Sequence, residues 1–316
     1  MLFQLKEKDQ KSKSGKDNIS NIEKLKSIFL KAKFVAKNVV YIRNWSKSKK
    51  DRYLKNEITK QTCRLRNSDI VVGSFLIKII NEPHPLMSKV KKLRQKSFFA
   101  NSKENEFDSD EFDKNCDHLV VIDKSVSESF VVGTYRLLLK PKFAKKQIFY
   151  SQSEFNISNL VNKKSSTILE AGRSCVEENY RDGRIIKLLW RGLATYIFNN
   201  QVDLIFGCAS FPSSNYNLFR NQLSYLYHYH SPPESIITSP IENVRANFKI
   251  SDKNFLNKEE EFRNLPPLIK AYLRVGAWVG QGAVIDKIYN TTDVLNILKA
   301  KKIMKKYRQL SFQKVY

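Results

Sequence analysis

Four cysteines in 316 residues, Cys63, Cys116, Cys175 and Cys208, stand far apart with no paired spacing. Neither a disulfide framework nor a metal site is expected, and the pattern suits a reducing cytosol. Long apolar runs are missing too. No stretch approaches the ~20 residues needed to span a bilayer, and the lysine-dotted N-terminus lacks the apolar core of a signal peptide. The expected location is cytoplasmic. Acidic residues are scarce, 31 against 56 Lys and Arg, which leaves a net charge of +25. What is present is enough apolar material, 41% of residues, to bury a core, so disorder throughout is excluded.

The excess positive charge sits at the ends. Residues 1–66 carry +13 and residues 299–316 carry +7, leaving the body at only +5. A nucleic-acid enzyme more often lines its working cleft with basic residues, so no nucleic-acid partner is expected. Two basic ends suit an anionic membrane surface, where each Lys or Arg contributes ~1 kcal/mol, and a peripheral place on the inner membrane. Drift of a genome toward Lys and Asn codons would produce the same excess, and an acidic carrier protein would also be steered by it.

Residues 1–66 read as a basic N-terminal extension. Its first 17 residues are polar and lysine-rich, expected to be disordered. From Asn18 to Trp45, apolar residues recur at helical spacing among lysines, the pattern of an amphipathic helix that lies on a membrane or packs on the domain. Residues 67–316 read as one domain with a basic C-terminal tail. The apolar run Ile70–Ile80 predicts a strand and Pro85–Phe99 a helix. Strands are predicted at His118–Asp123, Val131–Leu139, Thr167–Val176 and Leu204–Ala209, with a helix over Arg184–Phe198. This order implies an α/β (α+β) domain with a mainly antiparallel sheet flanked by helices. The Asn-rich, charged stretch 239–264 is expected to be a mobile excursion before Leu265–Val284 returns to the core.

Three regions carry residues suited to chemistry. Arg181, Gly183 and Arg184 lie where a strand turns into an apolar helix, and a helix start can hold a phosphate such as that of phosphopantetheine. Glu170 and Arg173 stand three apart in a predicted strand, which places them on opposite faces unless a bulge intervenes. Facing a cleft, Glu170 can take an amine proton; paired with an arginine, it is a structural ion pair. The acidic cluster from Glu104 to Asp117 includes Asp110 and Asp113, and its carboxylates match an amino-acid cation or form a solvated loop. Arg94 and Arg136 are candidates for binding a carboxylate or phosphate, or are ordinary surface arginines. Cys175 and Cys208 sit in apolar strands and suit core packing better than nucleophilic attack, and the scattered histidines do not compose a metal site.

Taken in order, several segments resemble the ornithine N-acyltransferase family, often labelled hemolysin-like. They include Arg94 with Phe98, Asp110-Glu-Phe-Asp113, Gly133-Thr-Tyr-Arg136, Phe149 to Phe155 with Glu154, and Glu170-Ala-Gly-Arg173. Tyr180-Arg-Asp-Gly183, Phe206-Gly-Cys-Ala-Ser-Phe-Pro212 and Leu265-Pro-Pro-Leu complete the set. The likeness spans about residues 75–310. It implies a GNAT-type acyltransferase fold and an enzyme that moves a (3-hydroxy)acyl group from acyl carrier protein to the α-amine of ornithine, giving lyso-ornithine lipid. A more distant likeness to acyl-homoserine-lactone synthases rests on Arg94, Asp110, Asp113, Arg136, Glu170 and Arg173. Such a synthase, or a non-catalytic membrane-active protein, stays open as an alternative. One departure is Ala171, where the family more often has Glu-Leu-Gly-Arg, a change that bears on acyl fit.

The resemblance implies catalytic roles for Glu170 and Arg173 and substrate binding by Arg94, Asp110, Asp113, Arg136 and Glu154. Asp110 and Asp113 would hold the substrate cation, and Arg136 or Arg173 its carboxylate. Arg181, Gly183 and Arg184 would hold the phosphopantetheine arm of the carrier. No permanent cofactor and no metal are implied, because the acyl-phosphopantetheine thioester is a co-substrate.

Overall fold

The computed structural model describes residues 69–99, 107–144, 147–162 and 165–303. The N-terminal extension and the C-terminal tail beyond residue 303 lie outside the described residues. In chain order the elements begin with β1 (Ile70–Val72), β2 (Phe75–Ile80), α1 (Met87–Phe98), β3 (Asp117–Asp123), β4 (Val131–Lys140), β5 (Phe155–Asn156) and α2 (Ser158–Val161). Next come β6 (Ile168–Val176), α3 (Arg184–Asn199), β7 (Leu204–Phe211), α4 (Arg220–His230), β8 (Ser239–Pro240), α5 (Lys258–Asn264) and α6 (Pro267–Arg274). The chain closes with β9 (Trp278–Val279), β10 (Val284–Asp286) and β11 (Thr291–Lys299).

One large sheet runs β1-β2-β3-β4-β6-β7-β11-β10, with β9 also on β11. Every pairing in it is antiparallel except β6 with β7. Helices cover both faces, which is why β3 reads as an unbroken apolar run: Leu119 and Val121 pack toward α3, while Val120 and Ile122 pack toward α1. On the α3 side, Ile185, Leu189, Trp190 and Leu193 at helical spacing meet Tyr135, Leu137, Leu169 and Ile205. Each fully buried aliphatic side chain contributes roughly 1.5–3 kcal/mol there.

Two expectations are corrected. Ile70–Ile80 is a hairpin of two strands, because Gly73 turns the chain between β1 and β2. The 239–264 stretch is ordered: Ala246 and Leu256 are buried in the core beside α4 and α6. Its polar residues cap short helices, as when Asn257 accepts from the amides of Glu259 and Glu260 at the start of α5.

The parallel pair matters most for function. β6 and β7 pair only through Ile168–Leu204, Leu169–Ile205 and Glu170–Phe206, then part company, although both strands run on for several residues. At the parting point a Cβ on Gly207 would lie 2.1 Å from the Ala171 carbonyl oxygen, so only glycine allows this approach. Beyond it, β6 bulges against β4: Arg136 pairs with Gly172 and Thr134 with Cys175, leaving Arg173 and Ser174 opposite Tyr135 alone. Arg173 adopts φ +50° at the bulge.

Candidate active site

A cavity of about 450 Å³ opens where β6 and β7 separate, lined by residues 171–174 of one strand and 207–210 of the other. The bulge decides what faces it. Three residues apart in a regular strand, Glu170 and Arg173 would diverge, but the extra residue brings both onto the cavity wall.

Beside this wall lies a lattice of three arginines and three aspartates. Arg94, fully buried, donates to Asp108 at 2.6 Å and to both oxygens of Asp113 at 2.7 and 3.3 Å. Arg136 donates to Asp110 at 2.6 and 2.7 Å and to Asp113 at 3.1 Å. Arg173 reaches Asp108 at 3.2 Å and Asp110 at 3.4 Å, the two longest ion pairs of the lattice. Burial would push Asp113 upward, yet Arg94 and Arg136 hold it down to about 2. Burial alone would likewise depress Arg94, and the two carboxylates keep it charged. The carboxylates of Asp110 and Asp113, expected to hold a substrate cation, are thus already paired with guanidinium groups. Arg136 and Arg173 both line the cavity, and Arg173 is the more exposed of the two. It lies between two aromatic faces, 4.7 Å from the Tyr150 ring and 4.8 Å from the Tyr289 ring.

Glu170 is buried and bonded by both oxygens. Tyr150 N donates to Oε2 at 3.0 Å, and Ser151 donates to Oε1 from N at 2.8 Å and from Oγ at 2.6 Å. Its carboxylate caps the short 3-10 turn Tyr150–Ser153. Burial raises the Glu170 carboxyl, and the hydrogen bonds from Ser151 and Tyr150 pull it back only in part. Ser151 Oγ in turn accepts from Cys208 at 3.4 Å. The Cys208 thiol is raised well above its ordinary value by burial, and Cys116 and Cys175 are raised to about 12 for the same reason, so none of the three is a thiolate.

A second acidic group lies on the β11 side. One oxygen each from Glu154, Asp286 and Asp293 fall within 4.8 Å of one another. Asp286 and Asp293 line the cavity. Burial and the neighbouring carboxylates push Glu154 up to about 8 and Asp293 up to about 6. Among the four histidines, His118 donates to the Asp113 carbonyl and is lowered by burial, while His228 and His230 pair with Ser251 O and the Tyr225 hydroxyl.

The helix start lies apart from these groups. Gly183 precedes α3 with φ +89°, a backbone region that a side chain would strain. Arg181 donates to Val176 O at 3.0 Å. Asp182 accepts both the Arg184 amide at 2.9 Å and its Nε at 2.6 Å. Arg181, Gly183 and Arg184 are not among the cavity's lining residues.

Of the expected site residues, Arg94, Asp110, Asp113, Arg136 and Arg173 therefore meet in one ion lattice, with Glu170 beside it on the cavity wall and Glu154 in the second acidic group. Sequence reasoning passed over Tyr289, Asp286 and Asp293. The available signal for Asp293 is that it is the one charged residue among the buried positions 292–298 of β11.

Comparison with known proteins agrees with this architecture. Residues 93–191 match the acetyltransferase (GNAT) domain model. An L-ornithine N(alpha)-acyltransferase of Agrobacterium fabrum is 39% identical over 204 residues, covering 63% of this chain and 70% of that protein. One from Brucella abortus is 33% identical over 248 residues, covering 75% and 88%. Among solved structures, a CoA-dependent acyl-homoserine lactone synthase superposes with a TM-score of 0.42 at 10% identity, covering 76% of this chain and 92% of that one. With a GNAT-type fold and relatives of this identity and coverage, the chain belongs to the L-ornithine N(alpha)-acyltransferase family.

Proposed function

We propose that this chain transfers an acyl group from the phosphopantetheine thioester of acyl carrier protein to the α-amine of ornithine. The observation that carries the reading is the cavity at the β6/β7 separation, with Glu170 and Arg173 on its wall. Where the two strands stop pairing, their facing edges no longer have partner-strand hydrogen bonds, and an extended pantetheine arm can take those positions. A backbone N–H there polarises the thioester carbonyl. The turn at Arg181, Gly183 and Arg184 holds the arm's phosphate at the start of α3, with Asp182 giving up its contacts to Arg184 as the phosphate arrives.

Arg173 takes the amino acid's carboxylate, because its partners are the most distant in the lattice and it is the more exposed of the two arginines that line the cavity. Arg94 and Arg136, with Asp108, Asp110 and Asp113, hold Arg173 and the surrounding loop in place. The substrate arrives as an ammonium, and Glu170 accepts one proton directly or through water. A carboxyl raised by burial suits that task. The amine nitrogen then bonds to the acyl carbon, the carbon–sulfur bond breaks, and the thiolate leaves with a proton. No covalent enzyme intermediate is required.

No helix among the described residues is long and apolar enough to cross a membrane. The basic ends, carrying +20 of the +25, favour a peripheral place on an anionic membrane that receives the product. Free-thiol release tests the reading. Release that depends on ornithine, and is faster from acyl carrier protein than from coenzyme A, is expected; release indifferent to ornithine contradicts it.

A further inference from the structure

We infer that Glu154, Asp286 and Asp293 form the subsite for the side-chain ammonium of the amino-acid substrate, and so make the enzyme selective for diamino acids. The inference rests on the reading of the chain as an amino-acid acyltransferase and adds a specificity determinant to it.

Three observations converge. The first is the spacing already described: three carboxylates each present an oxygen within 4.8 Å of the others, close enough to surround one small cation. The second is the state of their oxygens. Glu154 and Asp293 are more than nine-tenths buried, and Glu154 Oε2 and Asp293 Oδ1 accept no hydrogen bond among the described residues. A buried carboxylate oxygen without a donor is costly, and an ammonium brings three donors. Asp286, by contrast, uses Oδ1 to accept from the Ile288 and Tyr289 amides, which fixes its place at the start of the turn between β10 and β11.

The third observation is polarity across one cavity. Arg173 lies on its β6 wall and Asp286 and Asp293 on its β11 side, with Tyr150 and Tyr289 also lining it. A diamino acid carries a carboxylate at one end and an ammonium at the other. With its carboxylate on Arg173 and its side-chain ammonium on the acidic trio, its α-amine, borne by the same carbon as the carboxylate, lies at the Arg173 end, on the β6 wall that also carries Glu170. The groups charged or titratable around the trio include Arg173, which favours the ionised forms of Glu154 and Asp293, Cys208, whose neutral thiol borders Glu154, and the Tyr150 and Tyr289 hydroxyls. Among the described residues Arg173 pairs with Asp108 and Asp110, and no ion pair reaches Glu154, Asp286 or Asp293.

Norvaline is ornithine without the terminal amine, so the ratio of kcat/KM for ornithine to that for norvaline isolates the subsite. A hydrogen bond to a charged partner is worth about 1.5–3 kcal/mol, which corresponds to roughly 10- to 150-fold preference for ornithine in the unaltered protein. Asp293→Asn and Asp286→Asn, each checked for folding by circular dichroism, are expected to cut that ratio about tenfold or more, mainly through KM for ornithine. A ratio unchanged in folded variants overturns the inference. Should the variants not fold, calorimetric binding to the unaltered protein decides: ornithine binding at least tenfold tighter than norvaline supports it, and equal binding overturns it. Loss of the preference with EDTA and its return with Mg²⁺ would make the trio a divalent-cation site and also overturn it. If no amine supports thiol release while ornithine still binds preferentially, the acyltransferase reading fails and the ammonium subsite stands.

Discussion

Asp113→Asn tests whether the ion lattice is what holds the site. Asp113 is fully buried, accepts from Arg94 and Arg136, and also accepts from the Asp110 amide at 3.3 Å. Asparagine keeps the volume but turns one oxygen into an NH₂, which must face a guanidinium. Arg94 would then keep Asp108 alone for a fully buried charge. Removing one partner of a buried pair costs about 3–5 kcal/mol. An independent figure comes from proton linkage. The fall of the Asp113 pKa from 3.8 to about 2 corresponds to roughly 2.5 kcal/mol of stabilisation by the ionised form. The folded-state pKa is depressed, so this stability is complete above about pH 4 and is lost as the pH falls toward 2. Urea unfolding at pH 7 is therefore expected to show a loss of about 3 kcal/mol. The difference between native protein and variant should shrink as the pH falls from 4 to 2. A loss below about 1 kcal/mol at pH 7, or one that does not change with pH, refutes the assignment of the lattice as the site's support.

Three other outcomes follow from the geometry. Glu170→Gln is expected to lower kcat by ~10²-fold while the protein stays folded, with about 1–3 kcal/mol lost because an amide NH₂ must face the Tyr150 or Ser151 donors; unchanged turnover removes Glu170 as the base. Arg173→Lys keeps the charge but loses the planar fork stacked on Tyr150 and Tyr289, so KM for the amino acid should rise about tenfold with KM for the acyl donor little changed, and equal effects on both would place Arg173 in a purely structural role. Gly207→Ala drives a methyl group into the Ala171 carbonyl and should force β6 and β7 apart, seen as a fall in melting temperature together with loss of turnover; a variant as stable and active as the original would show that this contact yields easily.

Much of the fold was legible because it is written in local periodicity. The 3.6-residue spacing of Ile185, Leu189 and Leu193 places α3, and the doubly apolar run of β3 marks a strand covered on both faces. The site was legible in its parts and not in its assembly. The spacing of Glu170 and Arg173 pointed to opposite faces, and only the bulge opposite Tyr135, on another strand, reverses that. No local pattern announces it. Asp110 and Asp113 stood out as a cluster, but whether they face a substrate or Arg94 and Arg136 depends on packing between α1 and β4. The trio of Glu154, Asp286 and Asp293 joins residues more than a hundred positions apart in the chain, so it emerges only when β11 is laid beside β7.

The central claim is the transfer itself, and the mass of the product tests it most directly. Purified protein supplied with a 3-hydroxyacyl thioester of acyl carrier protein and L-ornithine should release one thiol per turnover and form an acyl-ornithine. Its fragmentation should show the amide on the α-nitrogen and a free side-chain amine. Hydrolysed fatty acid alone, an amide on the side-chain nitrogen, or a lactone formed from a different acceptor would contradict it.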